Sequence, residues 1–194
     1  MYKDASELMS QCKEQNKRIW QIAVENEMKL TSSSYEDILS RFDDRLEIMF
    51  HSAQKALNAK QATKGGLIDG VAKTQYDYSK KENISGEYIN YVMSLAYSCS
   101  EVNASMGKIC ASPTAGSCGI VPAVLLGLSQ AKNISREKTL EGLITASAVG
   151  AIYTKNATVA GADGGCQAEC GVARSMAAAA AAYMMGADDD KCLD

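Results

Sequence analysis

The chain has 194 residues, 46% apolar and 22% charged, with 20 Lys+Arg against 23 Asp+Glu for a net charge of −3. That size and balance describe one domain and exclude long disorder, collagen-like repeats and a phosphate-tracking basic surface, so nucleic acid is not an expected partner. Residues 1–7 carry charges where a signal peptide needs an apolar run, and the chain is expected to be soluble and cytoplasmic.

In chain order, residues 1–59 read as an outer pair of amphipathic helices. Leu8, Cys12, Ile19 and Ala23 keep one face of the first. Ser33 and Glu36 form a capping-box pattern, and Ile38, Phe42, Leu46, Met49, Ala53 and Leu57 recur at steps of three and four in the second. Residues 60–82, with Gly65-Gly66 and weak periodicity, read as a long loop. Helix resumes near Ser85, with Tyr88, Val92, Ala96, Cys99, Val102 and Met106 on one side.

From Ser112 to Gly186 only nine charged residues occur, and Gly and Ala dominate. Residues 121–130, 136–153 and 169–185 read as helices apolar nearly all round, which places them in a core. Residues 109–131 lack charge but contain both prolines and three glycines, too much broken backbone for a lipid-facing span. No period-two alternation occurs. The expected fold is all-α, with amphipathic helices around a Gly/Ala-rich core over 83–194.

Seven cysteines without a secretory signal suggest metal, redox or core use rather than a disulfide framework. Cys118 and Cys166 each lie where a Gly-rich loop enters a helix. There, free amides and the helix dipole favour a thiolate and lower its pKa. The glycines leave room either for a bulky group against the backbone or for tight helix packing. Cys166 and Cys170, four residues apart, could share one helix face as ligands of a single zinc ion. His51 reads as a solvated residue of an outer helix. The Gly-rich segment 161–165 follows no strand and lacks a phosphate-loop lysine, so it does not read as a nucleotide site.

Three segments carry a resemblance: Ser-Pro-Thr-Ala-Gly-Ser-Cys-Gly-Ile-Val-Pro-Ala-Val-Leu (112–125), Glu-Val-Asn-Ala-Ser-Met-Gly (101–107) and Gly-Cys-Gln-Ala-Glu-Cys-Gly-Val-Ala-Arg-Ser-Met-Ala-Ala-Ala (165–179). Together they resemble the α chain of the iron–sulfur L-serine dehydratases. The resemblance implies a helical domain binding a 4Fe-4S cluster, which deaminates L-serine to pyruvate and ammonia without pyridoxal phosphate. It also implies a β-chain partner and an oligomer. Cys118 and Cys166 match two of the family's three cluster cysteines; the third belongs to a Cys-Asp-Pro segment that does not occur up to Asp194.

The chain on its own is therefore expected to be inactive. Two alternatives are a catalytically silent helical fragment and a related lyase acting on L-cysteine. No membrane association is expected. Thr114 and Gly116 are candidate contacts for the substrate carboxylate or amine. Lys155 and Glu169 are charged residues in an apolar stretch, where burial moves pKa values toward neutrality; each is a candidate base and equally a candidate salt-bridged structural residue.

Overall fold

The computed structural model describes residues 2–194 and is 72% helical, with nine helices and no strand among those residues. The all-α expectation holds. The N-terminal segment, expected as one helix, is two: α1 (Ala5–Gln15) and α2 (Ile19–Thr31). Asn16 ends α1 at φ 51°, its N–H donating back to the carbonyls of Cys12 and Lys13. Asparagine tolerates this left-handed conformation, which lets one apolar face continue across a break in the backbone. Leu8, Cys12, Ile19 and Ile22 accordingly share one buried cluster with Tyr183 and Cys192.

The long helix α3 (Tyr35–Asn58) starts one residue later than the sequence pattern indicated. Ser34 is its cap, accepting from the Asp37 N–H at 3.1 Å while Asp37 accepts from the Ser34 N–H at 3.4 Å. Ser33 and Glu36 satisfy the same spacing rule, and spacing alone does not choose between adjacent registers. The expected 60–82 loop contains a further helix, α4 (Val71–Ser79), after a turn over 60–70. Helix α5 (Glu87–Ala104) packs against both α3 and α4. The α3–α5 crossing is sewn by small hydroxyls: buried Ser98 donates to the Ser52 carbonyl at 2.7 Å and accepts from the Ala56 N–H at 2.9 Å.

The Gly/Ala-rich remainder forms α6 (Ile120–Lys132), α7 (Arg136–Asn156), α8 (Gly161–Met184) and the short α9 (Asp189–Leu193). Helices α7 and α8 share the most extensive interface. Their core takes Leu143 and Val149 from α7, Met176 and Ala180 from α8, Val121 and Leu125 from α6, and Leu46 from α3. Burying each large side chain contributes about 1.5–3 kcal/mol. Alanines 177, 179 and 180 are buried, as the alanine run suggested. Arg18 closes the molecule at its other end, donating to both Asp189 carboxylate oxygens at 3.0 Å and to the Ala187 carbonyl at 2.8 Å. No helix among the described residues is long and apolar enough to cross a membrane. His51 is exposed on α3, as expected.

Candidate functional site

Helix α8 is not continuous. Gly165 sits at φ 73°, ψ 173°, so residues 161–164 form one turn and the helix proper restarts at Cys166. Glycine adopts this positive φ without the steric cost a side chain would add. The restart brings Cys166 and Cys170 one turn apart on one face, with Sγ atoms 3.7 Å apart. A carboxylate oxygen of Glu169 joins them, so three ligand-capable atoms lie within 4.8 Å of one another. Cys166 is exposed; Cys170 and Glu169 are half-buried. The Cys170 thiol is raised, first by burial and then by the Cys166 thiol and the Glu169 charge, with Arg174 opposing.

A second loop, residues 112–119, meets Glu169 from the other side. Thr114 donates its hydroxyl to Glu169 Oε2 at 2.8 Å, and Thr114 Oγ1 lies 3.2 Å from Ser117 Oγ. A Cβ at Gly116 would stand 2.4 Å from Glu169 Oε1, and one at Gly161 would stand 3.1 Å from Oε2. Gly116 is therefore required for the carboxylate to sit where it does, and at Gly161 a side chain would crowd it by a few tenths of an ångström. Asn103, from the 101–107 segment, donates to the Ala115 carbonyl at 3.2 Å and steadies the loop. All three segments singled out in the sequence converge here.

The structure thus brings Thr114, Gly116, Glu169 and Cys166 together and adds Cys170. Cys118 belongs to the same loop, but its thiol is buried, directed to the Cys99 carbonyl at 3.9 Å. Burial pushes it up to about 11, opposite to the lowering expected at a helix entry. The low-dielectric core disfavours the thiolate more than the helix dipole favours it. Lys155 is exposed rather than buried: its Nζ lies 3.4 Å from the Tyr2 carbonyl, and it lines a cavity between α2 and α7. Neither Lys155 nor Glu169 forms an ion pair among the described residues.

Residues 14–194 match the family model described as serine dehydratase alpha chain. The chain belongs to this family. The chain is 41% identical over 194 residues to the L-serine dehydratase alpha chain of Peptoniphilus asaccharolyticus, covering 100% of this chain and 66% of that one. It is 38% identical over 186 residues to the probable L-serine dehydratase alpha chain of Bacillus subtilis, covering 96% and 62%. L-serine dehydratase 1 of Escherichia coli is 31% identical over 196 residues, covering 98% and 43%. These relatives are longer than this chain, which spans 66%, 62% and 43% of their respective lengths.

The family resemblance implies a 4Fe-4S cluster, and the donor chemistry of the site fits iron. Two thiols one helical turn apart are soft donors of the kind that hold iron and zinc, and the adjoining carboxylate is a hard oxygen donor. The glycines at 116 and 161 let that carboxylate lie close against the backbone. Cysteine at 170 is the ligand-capable residue that the matched pattern of Cys118 and Cys166 did not single out. Its i, i+4 spacing from Cys166 was the available signal, and it became decisive only once Gly165 fixed the helix start.

Proposed function

We propose that this chain contributes the cluster-binding half of an L-serine ammonia-lyase, acting with a β chain to convert L-serine to pyruvate and ammonia. The observation that carries the reading is Glu169: a carboxylate beside Cys166 and Cys170, held by Thr114 and framed by Gly116 and Gly161. Family membership and the relatives' names support serine as the substrate and a β chain as the partner.

In this reading Cys166 and Cys118 are two ligands of a 4Fe-4S cluster, with Cys170 adjoining, and the Cys118 thiol has to turn from the Cys99 carbonyl toward Cys166 to serve. When bound, a cluster with one open iron supplies a Lewis acid for the substrate hydroxyl. The chain's own residues do the rest. Thr114 fixes one carboxylate oxygen of Glu169, leaving Oε1 toward Gly116. Glu169 is then placed to accept the α-proton of serine, and Thr114 is a positioning residue acting through it. The backbone at Gly116, which lies against Glu169 Oε1, is the candidate contact for the substrate carboxylate or amine. β-Elimination releases water and leaves an enamine, which tautomerises to an imine and hydrolyses to pyruvate and ammonia.

The test is made in the assembled two-chain enzyme carrying this sequence, prepared anaerobically. It is expected to form pyruvate from L-serine without pyridoxal phosphate and to stop when iron is chelated. Turnover that survives chelation overturns the reading. Glu169→Gln is expected to lower kcat by roughly 10²–10⁴-fold with iron content and KM little changed. Loss of iron with this substitution would instead make Glu169 a ligand.

A second reading has a specific observation behind it. Two thiolates on one tetrahedral ion, with bonds of about 2.3 Å, stand roughly 3.8 Å apart, close to the 3.7 Å between Cys166 and Cys170. A single zinc or ferrous ion held by Cys166, Cys170 and Glu169 satisfies the same geometry without Cys118.

A further inference from the structure

Away from the α8 site, the cleft between α2, α3 and α7 holds two adjoining cavities of about 280 and 470 Å³. They meet at Glu27, Phe42 and Ser147, which line both. Two buried side-chain polar atoms lack a hydrogen-bond partner among the described residues: Ser112 Oγ and Asn26 Nδ2. Ser112 is on the wall of the first cavity and Asn26 on the wall of the second. Both residues are more than nine-tenths buried, at 4% and 8% exposure. Folding leaves few buried polar groups unpaired, and two along one cleft mark a place where a ligand completes them.

The charged side chains in the cleft also lack ion-pair partners among the described residues. Arg41 and Arg45, one turn apart on α3, line the first cavity, and neither forms an ion pair among the described residues. Arg45 donates from Nη1 to the Arg41 carbonyl at 2.8 Å, and its charge opposes the effect of burial on the Cys110 thiol. Glu27, at the junction, is likewise unpaired, so the arginines and the carboxylate do not neutralise one another. Phe42, Met49 and Met176 supply an apolar wall between them.

We propose that this cleft binds a small aliphatic α-amino acid as a second site. Guanidinium groups match a carboxylate in fork geometry, and Arg41 and Arg45 would take it together with the Ser112 hydroxyl. Glu27 takes the ammonium. The aliphatic body lies against Phe42, Met49 and Met176, which gives inorganic anions nothing to bury. Arg41, Arg45, Ser112 and Glu27 then each have a partner, which a simple carboxylate would not achieve because Glu27 would repel it. Ser112 also opens the 112–119 loop, and its carbonyl accepts from the Ser117 hydroxyl at 3.2 Å. Occupancy therefore bears on the loop that carries Thr114 and Gly116.

The test is calorimetric titration of the chain with L-2-aminobutyrate, butyrate and inorganic phosphate. Saturable binding of the amino acid is expected, with butyrate and phosphate at least about tenfold weaker. Arg41→Gln with Arg45→Gln, exposed positions that preserve the helix, is expected to weaken the amino acid at least about tenfold, and Glu27→Gln to bring it toward butyrate. Cys166→Ser is expected to leave this affinity unchanged, which separates the outcome from the fate of the lyase reading. Binding absent up to roughly 10 mM, unaffected by the paired arginine change with helicity retained, or equally strong for phosphate, overturns the proposal.

Discussion

Cys166→Ser is expected to strip the chain of iron, whereas Cys12→Ser is expected to leave iron content unchanged. The contrast follows from where each thiol lies. Cys12 is buried among Leu8, Ile19 and Cys192, and burial raises its thiol to about 11. Cys99 is raised further, to about 12. Neither is placed to meet an ion from solvent. Cys166 is exposed at the restart of α8, beside Cys170 and Glu169. Since metal binding displaces the thiol proton, an exposed sulfur with two neighbouring donors is the favoured point of capture. The measurement is anaerobic reconstitution with iron and sulfide, followed by iron and sulfide assays and absorbance in the thiolate-to-iron charge-transfer region. About four irons with matching sulfide per chain corresponds to a 4Fe-4S cluster, and Cys118→Ser then also loses it. One ion without sulfide, retained in Cys118→Ser and lost in Cys170→Ser, establishes the single-ion reading instead. Equal iron in Cys166→Ser and Cys12→Ser removes the site altogether.

The fold was legible where periodicity was long and unambiguous. α3 shows its apolar face over 24 residues, and the Gly/Ala-rich helices announce burial by having almost no charged positions. Short elements were not legible, because their determinants are tertiary. Nothing in residues 71–79 distinguishes a helix from a polar loop until their N-terminal amides find a partner on α5. The break at Asn16 was hidden for the opposite reason: the apolar face runs across it, so the pattern reads as one helix. At the candidate site, residue types and loops were legible but directions were not. Cys118 and Cys166 both stand at loop-to-helix junctions, yet one thiol points into the α3–α5–α6 core and the other to solvent. Lys155 and Glu169 look alike in sequence, and only the Thr114 contact and the two glycines set Glu169 apart.

Glu101→Ala is expected to be the most destabilising single change outside the main core, at about 3 kcal/mol, although Glu101 contacts neither the α8 thiols nor the amino-acid cleft. Its side chain is fully buried, and its carboxylate accepts three backbone N–H groups: Gln61 at 2.7 Å, Gly70 at 2.9 Å and Ala72 at 3.2 Å. Two of these flank the 60–70 turn, and the third lies in the first turn of α4, where no intrahelical carbonyl is available. One side chain thus closes the turn, caps α4 and ties both to α5. The nearby Lys64 N–H, donating to the Ala104 carbonyl at 2.9 Å, reinforces the same junction. Removing the carboxylate strands three donors, and a chain of this size should lose roughly 6–12 °C in Tm. Glu101→Gln keeps one acceptor oxygen but turns an amide N–H toward a donor, so an intermediate loss is expected. Hydrogen exchange gives the sharper readout. Amides of residues 61–79 should lose protection first, while those of α7 and α8, which share no bond with Glu101, should keep theirs. Uniform loss across all helices would mean that α4 is part of one cooperative core rather than a unit pinned to it by a single carboxylate. Two residues further along α5, Asn103 holds the 112–119 loop, so Glu101→Ala should also loosen that loop and weaken the Thr114 grip on Glu169 without altering any residue of the site.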